Sequence, residues 1–380
     1  MTPPKPSRDG ADRCPGLLAP FVSADGAMVR LRLPGGRVSA TTLVEISSLA
    51  TRFGDPRITV TSRGSLQLRG LANPLPGELI GAIGDLGLIP SAAHDKARNI
   101  VADPGNDLDD LVAALDDGLL AQPDLAGLPG RFLLAVAGPG GPVLAEPWDV
   151  AVVDDTLAGA RRGSPDGTVR VIVDGQAERV ARGEAPALAL EVARRFLAAR
   201  PGPTTWNVRD LPLPARQGLL PGSAPCTVEA DAAPVPGPLG EDLVALIPLG
   251  LLTPTMVAAL APAGHLTFTP WRSVLVPGGA RRAKDLAAAG LVTAPDSPWT
   301  VLTACAGAPQ CARTTTPTRD LARAASGSID PAGPPVHVIG CERACGHPAR
   351  AHVTSLNPTS AADIVAAQDS STTTPTRKAP

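Results

Sequence analysis

Four of the six cysteines fall in two close pairs towards the C-terminal end of the chain. Five residues lie between Cys305 and Cys311, three between Cys341 and Cys345, and 29 between the two pairs. A [4Fe–4S] cubane needs four thiolates converging on one small inorganic core, and spacings this short let each pair reach it from a single loop. Gly307, Gly340 and Gly346, with Pro309 and Pro348 beside them, suit tight loops whose N–H groups point at sulfide. Structural zinc and inert buried thiols are the rival readings. Zinc pairs are usually separated by about two to four residues, so the wider first pair is unfavourable for zinc. Cys14 and Cys226 have no neighbouring thiol in the sequence and read as structural or incidental.

The second chemical signal is arginine. Residues 1–70 carry nine Arg and one Lys against five acidic residues, while Asp103 to Asp124 holds seven Asp and no base. Guanidinium groups suit planar, two-pronged contacts to carboxylates, although for any one Arg a solvated surface is the plainer reading. The net charge of −2 excludes a globally basic nucleic-acid binder. Aromatic residues are 2% of the chain and Tyr is absent, so base-stacking platforms are poorly supplied. The start, Met1 to Pro6, has no apolar leader, and no run of about 18 apolar residues exists. The expectation is a cytoplasmic protein with no membrane and no nucleic-acid partner.

These groups need elements to hold them. Met28 to Leu33 alternates apolar and basic residues, the period of a half-buried strand that places Arg30 and Arg32 on one face. Pro34-Gly35-Gly36 turns the chain, and Ser39 caps a helix with Leu43, Ile46, Leu49 and Ala50 on one side. Ile58–Thr61 and Leu66–Leu68 are strands, and Leu79–Leu88 a second helix. The unit recurs about 210 residues later. Pro34–Ser39 matches Pro248–Thr253, and Ile58–Leu68 matches Leu266–Val276, with Thr61 and Ser65 against Thr269 and Ser273. Such spacing indicates duplication. The fold class is therefore α+β and internally duplicated. The expected units are a first half-domain over 14–85, an α/β domain over 86–200 and a Pro/Gly-rich linker over 201–236. A second half-domain follows over 237–295, then a cluster-binding domain over 296–360 and a disordered tail over 361–380. Within 86–200, strands are expected near Phe132–Ala137 and Val169–Val173 and a helix near Ala187–Ala199.

With these motifs in place, the chain resembles the sulfite and nitrite reductases. Cys-x5-Cys followed by Cys-x3-Cys after the second repeat resembles that family's cluster motif. Arg30 to Gly36 is similar to its substrate-side strand and turn, Thr61 to Gly70 to its tetrapyrrole-carboxylate motif, and Lys96 to Ile100 to a further anion-contacting motif. The resemblance implies two ferredoxin-like half-domains plus two α/β domains, with the cluster in the C-terminal one. It also implies a sirohaem beside the cluster in the reductases proper. Two departures point elsewhere. Thr59 stands where the reductases usually carry Arg, and Arg131-Phe132-Leu133 replaces a Lys-Phe-Lys that helps to protonate the bound anion. Arg is a poor proton donor near neutral pH, and Leu is none.

Cys305-Ala-Gly-Ala-Pro-Gln-Cys311, Val336-His-Val-Ile-Gly-Cys341, Thr269-Pro-Trp-Arg-Ser273 and Cys14-Pro-Gly16 resemble the precorrin-3B synthase branch instead, with Ala344 where many members have Gly. That resemblance implies an oxygen-dependent monooxygenase of cobalamin biosynthesis, hydroxylating precorrin-3A at C20 with closure of a γ-lactone. It implies Arg63, Arg69 and Arg272 as substrate-binding residues and Arg30, Arg32, Arg98 and Arg131 as candidates for the catalytic side. A mononuclear non-haem iron beside the cluster is part of the same implication, with ligands unassigned among five His; His347 reads first as structural. No strand–Gly-x-Gly-x-x-Gly–helix fingerprint is present, so NADH is expected to act as an indirect donor through a partner reductase. A sirohaem-dependent sulfite or nitrite reductase and a non-catalytic iron–sulfur or tetrapyrrole-binding protein are the alternatives.

Overall fold

The structure, a computed structural model, describes residues 12–105, 107–157 and 167–372. Two antiparallel five-stranded sheets build the duplicated part. In the first, Phe21–Ser23, Gly26–Leu31, Leu66–Leu71 and Ile58–Val60 lie in that order. In the second, Gly237–Leu239, Asp242–Leu246, Ser273–Val276 and His265–Phe268 repeat the arrangement. The fifth strand of each sheet comes from the other copy. Arg37–Ser39 pairs with His265–Phe268, and Leu251–Leu252 pairs with Ile58–Val60. One continuous apolar core therefore runs through both copies, from Leu31, Ile46 and Leu68 to Leu252, Phe268 and Val276.

The matched residues explain the matched geometry. Pro34–Gly36 and Pro248–Gly250 both turn through left-handed backbone, at Gly35 (φ 62°) and Leu249 (φ 55°). Ser39 accepts a hydrogen bond from the Thr42 N–H, and Thr253 accepts one from Met256, so each caps its helix, Ala40–Phe53 or Pro254–Leu260. The Thr61 N–H donates to the Ser65 carbonyl, and the Thr269 N–H donates to the Ser273 carbonyl, both at 2.9 Å. Arg272 has φ 58° because it occupies the turn position that Gly64 (φ 66°) fills in the first copy.

The central domain is a six-stranded mixed sheet. Ile100–Ala102, Leu134–Ala137 and Val150–Val153 run parallel, and Thr168–Val173 and Gln176–Ala181 continue antiparallel. Helices Asp109–Leu120 and Ala185–Ala199 bury Leu115, Leu119, Val192 and Phe196 against one face. The segment expected as a linker is part of this domain. Helix Leu213–Gln217 lies within it, Ala224–Pro225 adds an edge strand, and Leu219 and Leu220 are buried in the core. Its Pro and Gly residues mark turns between packed pieces rather than a free tether.

The C-terminal domain is a parallel sheet of Leu302–Ala304, Val336–Ile339 and Val353–Leu356 with helices Thr318–Ala325 and Ala361–Thr372. The latter helix corrects the expectation of disorder from residue 361. Ile364 enters the core, and Gln368, 2% exposed, accepts from the Asp330 N–H and donates to the Asp330 and Pro334 carbonyls. The Ser/Thr-rich composition hid a helix held by two buried side chains; residues 373–380 lie outside the described residues, as do 1–11 of the expected disordered lead. No helix among the described residues is long and apolar enough to cross a membrane.

The close approach of the copies gives a test. A Cβ on Gly36 would sit 1.9 Å from the Phe268 carbonyl oxygen, at φ 77°. Gly240 has a similar φ of 62° with open space around it. Gly36→Ala is expected to lower unfolding free energy by at least about 2 kcal/mol, and by more than Gly240→Ala; equal urea midpoints for the two variants contradict the packing described.

Candidate functional site

Two groups of side chains stand at the junctions of these domains, one of thiols and one of guanidiniums. The thiols sit where parallel strands end, a common place for ligands in such sheets. Cys305 follows Leu302–Ala304 directly and donates its backbone N–H to the Val338 carbonyl at 2.9 Å. Cys341 follows the adjacent strand Val336–Ile339 after one Gly. Cys311 closes its loop by donating its N–H to the Gly307 carbonyl at 2.8 Å. Gly307 is required there: at φ 63°, a Cβ would meet Thr318 Oγ1 at 2.3 Å. Ala344, before the last thiol, has φ 45°, so the chain holds a methyl group in a conformation that favours glycine.

All four thiols are free. Although Cys345 presents surface to solvent, the protein around it pushes its thiol up, and the charges of Cys305, Cys341 and Cys311 push it further, against Arg343. Among the described residues, no group of three or more His, Cys, Asp or Glu is drawn together as ligands of one metal ion. The chemistry of the donors is nonetheless that of an iron–sulfur core, and a buried cation beside them is unmatched. Arg319 is 9% exposed, its Nε is buried without a hydrogen-bond partner, and Cys305 is among the charges acting on it. An anionic group at the thiols would complete that cation, so the residues present fit a [4Fe–4S] cluster.

The two cysteine loops are fastened by different copies. Ser23 Oγ and Arg69 Nη2 of the first copy donate to the Gln310 carbonyl, at 2.6 and 3.0 Å. Arg272 of the second copy donates to the Gly346 carbonyl. His337, whose Nε2 lies 3.2 Å from the Cys345 carbonyl, is held near a pKa of about 3 by burial and by Arg272, and so stays neutral. His347 is exposed and its ring stacks on His352, with centroids 6.0 Å apart.

The guanidiniums gather between the first copy and the central domain. Arg63 donates to the Gly130 carbonyl (2.8 Å) and the Arg131 carbonyl (3.0 Å). Arg32, 3% exposed, donates to Asn99 Oδ1 and to the carbonyls of Pro15 and Asp95. Burial, with Arg30 nearby, brings both Arg32 and Arg63 down to about 10. Arg30 Nε and Arg32 Nη2 are buried with no partner, and Cys14 Sγ lies 4.0 Å from Arg30 Nη1. Arg131 is half exposed, its guanidinium 5.1 Å above the Trp206 ring and 3.9 Å from Asp12. Unsatisfied N–H groups on clustered cations form a receptor for carboxylate oxygens.

Three of the expected arginines stand apart from this group. Arg98 forms a buried two-pronged pair with Asp116 (2.8 and 2.6 Å) and donates to the Leu88 carbonyl, so it is structural. Arg69 pairs in the same way with Asp25, at 3.0 and 3.1 Å, and braces a cysteine loop. Arg272 braces the other. Sequence reading missed Arg319 and Asp149, and named Asn99 only within the Lys96–Ile100 motif. Lys96-Ala-Arg98-Asn99 drew attention to its charge, whereas the neutral Asn99 is the residue that reaches Arg32. A cavity of about 230 Å3 beside Asp155 and Arg170, and another of about 440 Å3 between helices Ala40–Phe53 and Pro254–Leu260, lie elsewhere.

Asp149 positions the Arg131 loop. It is buried and accepts from the N–H groups of Leu133 (2.8 Å) and Val208 (2.7 Å) and from Asn207 Nδ2 (2.9 Å), which also donates to the Arg131 carbonyl.

With that geometry in hand, known proteins add the following. Residues 22–73 match the family described as Nitrite/Sulfite reductase ferredoxin-like half domain. A precorrin-3B synthase of Sinorhizobium sp is 39% identical over 72 residues, 19% of this chain and 16% of that protein. A ferredoxin–nitrite reductase of Synechococcus elongatus is 32% identical over 125 residues, 29% of this chain and 24% of that protein. The aligned stretches thus span about a quarter or less of these curated relatives. The Mycobacterium tuberculosis NirA protein structure superposes with a TM-score of 0.60 at 20% identity, over 84% of this chain and 69% of that one. Residues 22–73 thus match a nitrite/sulfite reductase ferredoxin-like half domain, and the chain shares the mixed α+β fold of the NirA protein.

Two outcomes follow. Arg98→Ala leaves the largely buried Asp116 unpaired and is expected to cost about 3 kcal/mol of stability in urea melts; full stability would contradict the pairing. Burial raises Asp149 to about 6 despite its hydrogen bonds. The folded state therefore keeps a proton that the unfolded chain releases near pH 4, and this group's contribution to stability declines as pH rises from about 4 to about 6. Asp103, raised to about 6 by burial, adds to the same slope. Urea midpoints of Asp149→Asn across this window should fall less steeply than wild type, and an unchanged slope contradicts the assignment.

Proposed function

We propose that this chain is a member of the nitrite/sulfite reductase superfamily and an oxidoreductase acting on a carboxylate-rich tetrapyrrole, specifically a precorrin-3B synthase. It would hydroxylate precorrin-3A at C20 with γ-lactone formation, using O2. The observation that carries the reading is the presence of two groups in one chain: four free thiols in the loops after adjacent parallel strands, and clustered guanidiniums, of which Arg30 and Arg32 keep buried N–H groups without a partner. Cys305, Cys311, Cys341 and Cys345 would hold a [4Fe–4S] cluster, which supplies one-electron transfer. Arg30, Arg32 and Arg63 would bind and orient substrate carboxylates. Arg131, half exposed at the same junction, would close over a further one. Arg69 and Arg272 serve by holding the cysteine loops rather than by touching substrate.

Hydroxylation consumes O2, two electrons and two protons and yields the C20 alcohol and water. The electrons would come from NADH through a partner reductase, one at a time. A mononuclear non-haem iron is the further component this chemistry calls for, and its ligands are unassigned. What favours this branch over anion reduction is the neighbourhood of Phe132. Leu133 is 1% exposed and packed in the central core, and Arg131 is a guanidinium over Trp206. Neither is suited to repeated proton delivery near neutral pH.

The second reading is a sirohaem-dependent sulfite or nitrite reductase. It is favoured by the longer stretch shared with the nitrite reductase, 29% of this chain against 19% with the precorrin-3B synthase. Anaerobic preparation of the full chain, with iron and sulfide analysis, absorption spectra and electron paramagnetic resonance, separates the readings. The expected result is a cluster without sirohaem, and incorporation of one atom from 18O2 into precorrin-3A when a reductase and NADH are supplied. A sirohaem spectrum with sulfite or nitrite consumption supports the second reading. A cluster with neither turnover supports a non-catalytic binding protein. Cys305→Ser should remove most of the iron and sulfide, and Arg30→Gln should weaken tetrapyrrole binding by about tenfold, the loss of one charge-assisted hydrogen bond; full iron in the first or unchanged affinity in the second opposes the assignments.

A further inference from the structure

We propose that Arg319 is the internal counter-cation of the cluster, a positioning residue that makes its reduction easier and helps to retain it. The inference rests on the cluster reading above and deepens it. Arg319 sits in the first turn of helix Thr318–Ala325. Its predecessor ties that turn to the first thiol: Thr318 Oγ1 donates to the Cys305 carbonyl at 2.9 Å and lies 3.6 Å from Cys305 Sγ. The helix is thereby locked against the Cys305–Cys311 loop, with Gly307 packed on Thr318.

The cation itself is in an unfavourable setting as it stands. It is 9% exposed, its Nε is buried without a partner, and no hydrogen bond or ion pair to it occurs among the described residues. Its charged neighbours are mostly of its own sign. Burial and then Arg69, Arg57 and Arg323 weaken its hold on its proton, while Cys305 strengthens it. Arg69 and Arg57 are each matched by a carboxylate, Asp25 and Asp55 respectively, and Arg323 by Asp320. Arg319 has no ion pair of its own among the described residues, and the carboxylate whose charge it feels, Asp55, is already paired with Arg57. A buried charge left unpaired is strongly destabilising. Four thiolates and a [4Fe–4S] core carry net negative charge, which becomes more negative by one on taking up an electron. A fixed positive charge beside Cys305 favours the reduced form over the oxidised one, one of the means by which proteins set cluster potentials.

The test uses the full chain loaded with its cluster under anaerobic conditions, titrated with dithionite and mediators and followed by electron paramagnetic resonance. Arg319→Gln is expected to lower the equilibrium constant for one-electron reduction at least tenfold, about 59 mV more negative. Arg319→Lys should restore most of that change. If Arg319→Gln folds, as judged by circular dichroism melting, but does not retain the cluster, retention by Arg319→Lys supports the counter-charge role. Failure of both to retain it overturns the proposal. So does a glutamine variant that holds the cluster at the wild-type potential. A wild-type chain that takes up no cluster refutes the underlying reading instead, and the two failures are distinguished by the wild-type spectrum alone.

Discussion

Everything in this molecule that concerns its site hangs on the place where the two copies touch backbone to backbone. Gly36 lies against the Phe268 carbonyl, and Gly250, at the matching place, lies against the Val60 carbonyl. Each contact closes the turn from which a short strand crosses into the other copy's sheet. A side chain at either position would force the sheets apart. Since one core fills both copies, separating them would expose apolar surface throughout. The turns also set the direction in which Arg30 and Arg32 leave the first sheet, and the turn position shared by Gly64 and Arg272 sets the reach of Arg272 towards the cysteine loop.

Burial, more than charge, sorts the arginines. Arg98, Arg69 and Arg182 meet carboxylates in two-pronged pairs or networks. Each of these pairs lies within one domain, and its charge is already answered. Arg30 and Arg319, and Arg32 beside its long contact of 3.9 Å with Asp95, retain buried N–H groups that protein atoms do not satisfy. Desolvated donors of this kind cost free energy in a folded chain, which is a reason to read them as places for a guest rather than as scaffold.

Much of the fold was legible because it repeats. The Pro-x-Gly turns, the Ser39 and Thr253 caps and the Thr–Ser pairs are local chemistry that a sequence displays directly, and helix Ala40–Phe53 and strand Gly26–Leu31 lie close to where their patterns put them. The crossing of strands between copies was not legible, since Arg37–Ser39 and Leu251–Leu252 are too short to show a period. Nor was the packing of 201–236, where proline and glycine suggest a tether while Val208, Leu211, Leu219 and Leu220 enter the core. At the site, the spacing of the thiols is plain in the sequence, and Cys305 and Cys341 follow adjacent parallel strands. The arginine motifs were less plain, because whether a guanidinium faces a carboxylate depends on residues far away in the chain: Asp116 for Arg98, and Asp25 for Arg69.

The fastening of the two cysteine loops has a mechanical side. Gln310 is gripped by the first copy and Gly346 by the second, each through a main-chain oxygen. Any sliding of one copy past the other would therefore stretch or compress the gap between the thiol pairs. An inorganic core bridging that gap would act as a rivet, stiffening the whole duplicated body. Its loss would return a hinge to the molecule at the seam between the two copies.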